Sequence, residues 1–492
     1  MPTYKTPGVY IQEVAKLPPS VTGVATAVPA FIGFTEQAID ANGNDLAHVA
    51  TRITSLQEYE RYFGRAPAQD FAVDVTQRRN KVSGKIIDTR ITIATVPPYI
   101  PSYLLYYSMQ LFFANGGAVC YVVSVGNTET TAFKASVFVA AFNILEKCEE
   151  PTLYLFPDAC SHRPGSAASD ADVAIIVNAA LQSCARMQNR FTIADVRNAI
   201  PGGTATNADI DSAFRNQISS SPDLLKYGAA YFPYLKTQLA FVTADTHIRI
   251  TRHTVITLAR DGSASSTPGN VAGGTMLSEV ADHPEIHSAV NTSIRQMANV
   301  TLPPSGAIAG VYAQVDANRG VWKAPANVAV TLVEEPSIAI GNALSGALNS
   351  DASSGKSVNA IRSFTGKGTL VWGARTLAGN DNEWRYVPVR RFCNFVAASV
   401  SNALKPFVFE PNDANTWVRV RGMVENFMLH QWQQGALMGN KPEEAFYVRV
   451  GLNQTMTAND VANGRMIMEI GVALVKPAEF IVLRFVQQMQ AA

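Results

Sequence analysis

Charge is scarce in this chain. Only 16% of its 492 residues are Asp, Glu, Lys or Arg, and 40 basic groups nearly cancel 39 acidic ones; soluble domains usually carry about 25%. A net charge of +1 leaves no basic field to attract nucleic acid or an anionic membrane, so neither is expected as a direct partner. A weakly charged, near-neutral surface instead favours self-association. Cysteine is sparse too. The five residues (Cys120, Cys148, Cys160, Cys184, Cys393) contain no Cys-x-x-Cys pair, which argues for free thiols in apolar surroundings and against a disulfide framework. No run of 18 apolar residues escapes a charge, a proline or a glycine, so no membrane span is expected. The opening MPTYKTPGVYIQEV lacks the apolar stretch of a secretory signal, so any extracellular life should begin with release from the cytoplasm by another route.

What the chain has is length and apolar content. A chain of 492 residues with 47% hydrophobic residues exceeds one core and implies two to four domains. Residues 1–20 read as an extended arm: Pro2, Pro7, Pro18 and Pro19 prevent helix, while Val9, Tyr10, Ile11 and Val14 suit a strand with no local partner. From 101 to 235 helix and strand alternate. A helix through Leu104, Tyr107, Leu111 and Phe112 ends at Asn115-Gly116-Gly117, and strands are predicted at 119–125, 153–156, 191–196 and 229–234. This rhythm predicts a mainly parallel sheet covered by helices. Residues 65–100, with Arg78, Arg79, Lys81 and Lys85, read as a loop or small excursion, and 238–275 as a hairpin with a tip near Asp261-Gly262. A Ser/Ala/Gly/Asn-rich run at 345–356 marks a boundary. Beyond it, Phe392, Val396, Val400 and Leu404 predict one helix, and Val420, Val424, Phe427, Met428 and Trp432 a longer one. Strands near 444–450, 465–475 and 478–487 follow, the last carrying Phe480, Val482, Leu483 and Phe485.

Chemistry-bearing patterns are weak. Ser350 to Ser357 reads SDASSGKS, a near miss to a phosphate-cradling loop that lacks its first glycine and a leading strand. His283 and His287 flank Pro284 and Glu285 at helical spacing, but Pro284 suits a first helical turn better than a zinc helix. Asp158 and Asp195 follow or end predicted parallel strands, where open α/β sheets place their sites, and would be the acid and base of any α/β enzyme built here. The competing reading is that each carboxylate caps a loop or helix. No Gly-rich phosphate loop or convergent His accompanies them, so catalysis, cofactor and metal are not expected.

The most distinctive block is 303–327, PPSGAIAGVYAQVDANRGVWKAPAN. It sets Pro303, Pro304, Gly306 and Gly310 ahead of an apolar stretch and closes with Asp316, Arg319, Gly320, Trp322 and Pro325. It holds no nucleophile–base pair and looks built to fix shape. Ordered with it along the chain stand Thr6-Pro7-Gly8-Val9-Tyr10, Ala30-Phe31-Ile32-Gly33, Phe112 to Gly117, Ala230 to Pro233, Val371 to Leu377, Arg390-Arg391, Phe409-Glu410-Pro411-Asn412, Gly435-Ala436-Leu437 and Pro477-Ala478-Glu479-Phe480. In number and order these blocks resemble the contractile tail sheath proteins of phage tails, R-type pyocins and extracellular injection particles. The stretches at 65–100 and 238–275 match poorly and fall where such proteins carry variable outer insertions.

The resemblance implies a fold and a role. The fold is multidomain, α/β and α+β: an arm (1–20), a mainly parallel α/β domain (21–345) with an inserted β-rich outer element near 65–100 and 238–275, a C-terminal α+β domain (346–477) and a terminal strand (478–492). The role is that of a non-enzymatic subunit of a helical sleeve, assembled in a stretched, metastable state in the bacterial cytoplasm around an inner tube. Baseplate and terminal cap proteins are the other implied partners. A trigger shortens the sleeve and drives the tube through a target envelope. Both arms are implied to pair with strands of neighbouring subunits through Val9, Tyr10, Ile11, Val14, Phe480, Val482, Leu483 and Phe485. The 413–434 helix, with Arg419, Arg421 and Glu425, is the expected tube contact. A static collar or terminal paralogue is the near alternative.

Overall fold

The computed structural model describes residues 20–94, 100–161, 168–197, 205–260, 263–297 and 299–480. Its contacts divide into two units. The larger comprises Ala25–Phe395 with residues 476–480, and the smaller comprises residues 20–24 with Val396–Val475. Val9, Tyr10, Ile11, Val14, Val482, Leu483 and Phe485 lie outside the described residues.

Among the described residues the larger unit is built on a nine-stranded sheet. Its order is Val328–Ala329, Gly368–Val371, Asn359–Phe364, Gly228–Phe232, Phe191–Asp195, Leu153–Leu155, Pro29–Thr35, Cys120–Asn127 and Thr51–Ile53. The six strands from 359–364 to 120–127 run parallel, and the outermost pairings on both sides are antiparallel. Central strands read as unbroken apolar runs because both faces are covered: every residue of Pro29–Thr35 is buried, as expected where helices flank a parallel sheet. Helices Leu105–Ala114, Ala135–Leu145, Asp170–Met187 and Ser305–Arg319 provide that cover. The 170–187 helix starts on a capping box between Ser169 and Asp172, which satisfies two backbone donors reciprocally.

The block at 303–327 owes its glycines to helix packing. Helix 305–319 runs against helix 105–114 so closely that a Cβ on Gly306 would stand 2.5 Å from the Ser108 carbonyl oxygen. One on Gly310 would stand 2.6 Å from that of Phe112. Four residues apart, the two glycines line one face and let the backbones touch.

Two expectations change here. Residues 65–94 are more than a loop: strands Phe71–Asn80 and Ile86–Ile93 make an antiparallel hairpin. The 71–80 strand then pairs in parallel with Ile248–Leu258, so both insertions combine into one five-stranded sheet. The alternation that proves it, with Phe71, Val73 and Val75 buried, was masked in sequence by the cations crowding its far end. Second, the small-residue run at 345–356 is no linker. It belongs to the helix Asn342–Asn349 and a loop ahead of strand 359–364, and residues 346–395 cluster with the larger unit. The division falls instead inside the helix Val387–Leu404.

The smaller unit holds the predicted long helix, Ala414–Gln433, capped by Asp413 through the Thr416 N–H. It also holds an antiparallel strand pair, Phe446–Val450 with Met468–Val472.

Helix packing yields a paired test. Gly306→Ala forces two backbones apart and should destabilise by about 1–3 kcal/mol. Gly422→Ala, on an exposed helical position where a Cβ meets nothing within 4 Å, should be neutral or stabilise by up to about 1 kcal/mol. Urea denaturation of both variants reads the contrast.

Candidate subunit-linking site

Asp158 and Asp195 stand at the ends of neighbouring parallel strands, and both are occupied by backbone. Asp158 Oδ1 accepts the N–H groups of Leu104 and Leu105 at 2.6 and 3.1 Å, and its Oδ2 accepts that of Phe34 at 2.7 Å. Its carboxylate caps helix 105–114, where the helix dipole favours an anion. A Cβ at Gly33 would lie 2.5 Å from Oδ2, so glycine makes room for the cap. Asp195 Oδ1 accepts the Ser305 N–H at 2.8 Å and caps helix 305–319. At these two strand ends, on the side where α/β sheets take ligands, the carboxylates are thus bonded to the protein's own helix termini.

The other chemical candidates are also engaged. Lys356 of SDASSGKS donates to the Arg215 and Ile218 carbonyls from a buried position, and Asp351 accepts from Ser353 and Ser354. His287, on a helix that begins at Pro284, pairs with Asp245 at 2.8 Å, and His283, just ahead of it, with Glu285 at 3.4 Å. Among the described residues no cluster of three or more His, Cys, Asp or Glu is placed to hold a metal. No described helix is long and apolar enough to cross a membrane. All five cysteines are free.

The conspicuous charge networks are internal. Arg391 is bidentate on Asp316 at 2.5 and 3.0 Å, donates to the Thr26 carbonyl at 2.9 Å and lies over the Tyr312 ring. It ties the 303–327 block to the chain just after the N-terminal arm. Arg390 stacks on Trp384 and Tyr227. Arg375 meets Glu479 at 2.6 Å. Glu479 was visible in sequence only as part of a shared block. Its partners come from residues 93 to 130 positions away, and no local signal marks them.

The smaller unit offers the open surfaces. Neither strand of the 446–450 and 468–472 pair has a second partner strand among the described residues. A cavity of about 540 Å³ runs beside it, lined by Glu425, Asn426 and Leu429 of the long helix and by Phe446 to Arg449. On that helix Arg419 is exposed, 3.9 Å from Glu410, and Arg421 sits 3.6 Å from Glu425. Val408, Phe409 and Val418 are exposed apolar side chains in the same unit, and Phe409 holds a left-handed φ of 72°.

The comparisons with known proteins give the family. Residues 379–488 match the phage tail sheath C-terminal domain model. Over 99% of its length the chain is 30% identical to a protein of the anti-feeding prophage (AFP) helical sheath in its contracted state, covering all of that chain with a TM-score of 0.61. A chain of the AFP baseplate is 30% identical over 99% of this chain and 100% of its own, with a TM-score of 0.62. A chain of the PVC extracellular contractile injection system sheath, also contracted, is 29% identical over 99% of each chain, with a TM-score of 0.63. No curated protein matches. The chain belongs to the contractile tail sheath family, and its role is that of a structural sheath subunit.

The capping reading of Asp195 predicts a pH signature. Burial pushes its carboxyl up from 3.8 to about 7, against the Ser305 hydrogen bonds that lower it. A raised carboxyl pKa means the folded state keeps a proton that the unfolded chain releases near pH ~4. This contribution is therefore complete below that pH and is lost as pH rises to about 7. Asp195→Asn keeps an acceptor for Ser305 and should flatten the decline, read as the difference between variant and parent in urea midpoints across this range.

Proposed function

We propose that the chain polymerises helically around an inner tube, joins a baseplate at one end, and shortens to drive the tube through a target envelope. The observation that carries this reading is the end-to-end match, at 30% identity, to a protein of a contracted helical sheath. The AFP and PVC likenesses favour an extracellular contractile injection particle over a phage tail. Terminal arms knit the polymer by adding strands to neighbours. The unpaired strand edges at 446–450 and 468–472 support this as acceptors, since an open edge offers main-chain donors and acceptors to an incoming strand. Exposed apolar residues such as Phe409 fit faces that are covered in the assembly. Each further ~400 Å² of apolar surface buried on contraction would supply a gross driving force of about 10 kcal/mol per subunit, reduced by the costs of association.

Arg419, Arg421 and Glu425 remain the proposed tube-facing groups. Reversing Arg419 and Arg421 to Glu should reduce co-sedimentation with the inner tube protein, while sheath tubes still form.

A second reading has its own support: a chain of the contracted AFP baseplate superposes with a TM-score of 0.66 at 25% identity, which favours a static sheath-like ring at that end. Negative-stain electron microscopy of the purified chain separates the two. Long striated hollow tubes establish the sheath, and deleting residues 1–16 should abolish them. Small closed rings or monodisperse particles establish the static role.

A further inference from the structure

Where the chain leaves the smaller unit after Val475, it is tied down at once. Lys476 Nζ donates to the Asn382 carbonyl at 2.8 Å. Three residues on, Glu479 is surrounded by donors. Arg375 gives Nε at 3.0 Å to Oε1 and 3.2 Å to Oε2, and a terminal nitrogen at 2.6 Å to Oε2. Asn349 Nδ2 adds 2.7 Å to Oε1, and the Tyr386 hydroxyl 3.3 Å to Oε2. The remaining Arg375 nitrogen donates to the Asn349 carbonyl at 3.0 Å. The Arg375 side chain is only 6% exposed and that of Glu479 20%. Burial opposes the charge on Glu479, yet the hydrogen bonds from Arg375 and Asn349 prevail and hold its carboxyl below the ordinary range.

All of these partners lie within the larger unit. By contrast, Phe480 beside them is 74% exposed. A carboxylate bonded by four side-chain groups in a partly dry setting is a strong attachment, since charge-assisted bidentate pairs are roughly twice as strong as neutral hydrogen bonds. Nothing in catalysis or ligand binding explains this convergence on a residue thirteen positions from the end of the sequence.

We infer that Glu479, held by Arg375, Asn349 and Tyr386, is the anchor that fixes the root of the C-terminal arm to the α/β unit, so that a pull from a neighbouring subunit enters the nine-stranded sheet through Arg375. This rests on the reading that the C-terminal arm links subunits. Arg375 and Glu479 act as positioning residues: they form no strand pairing themselves and determine where the load is taken up.

The test uses the full chain. In the unassembled protein, chymotrypsin cleavage after Phe480 should be slow, and Glu479→Gln should speed release of the peptide 481–492 by roughly tenfold or more, the scale of losing charged hydrogen bonds. Assembled Glu479→Gln tubes should form but break into shorter pieces than the parent under the same shear, with the melting temperature of the unassembled chain little changed. Should the Gln variant misfold, Asn349→Ala and Tyr386→Phe remove only the neutral donors and should move both readouts the same way by less. Unchanged cleavage, or tubes as shear-resistant as the parent, overturns the anchor. Truncation after Phe480 tests the underlying reading separately: if tubes survive it, the arm does not link subunits, whatever the Gln variant does.

Discussion

The structure depends on two buried carboxylates that receive helix N-termini. Asp158 and Asp195 stand at the ends of neighbouring parallel strands, and each is reached by a helix distant in sequence, 105–114 and 305–319. A buried carboxylate is costly unless hydrogen-bonded, and helix N-termini carry unsatisfied donors, so each corrects the other's deficit. Once both helices are held by their first turns, they lie side by side on the sheet. Gly306 and Gly310 then become obligatory, because no Cβ fits between the two backbones.

This arrangement gives the two strand-end carboxylates a structural role. Both carboxylates are engaged by the protein's own amides. The same logic extends to the arginines. Arg391 joins helix 305–319 to the chain at Thr26, and Arg375 joins the sheet's antiparallel side to Glu479. Each bonds to chain just inside a boundary of the α/β unit, at Thr26 and Glu479.

Much of this was legible in the sequence. The 3.6-residue spacing of Phe392 to Leu404 and Val420 to Trp432 predicts helices that are present at Val387–Leu404 and Ala414–Gln433. The apolar runs at 153–156 and 191–196 predict buried parallel strands. These features are local: side-chain periodicity and caps act over a few residues, and a reader of the chain has all of them. The outer element was legible as β-rich, but the parallel pairing of 71–80 with 248–258 was not, because it spans over 170 positions and has no local sign. Nor was the continuity of residues 346–395 with the main sheet, since a run of small polar residues reads alike whether it is solvated or bonded to a buried Arg215.

By itself, then, the sequence determined most element types, the alternation that makes a parallel sheet, and the ordered blocks that resemble tail sheath proteins. Tertiary structure alone decided what the carboxylates do, that two insertions form one sheet, and that Glu479 is clamped by Arg375. The reason is physical. A charged side chain carries no mark of its partner, and whether it is solvated, catalytic or a clasp depends on which distant donors the fold brings within about 3 Å.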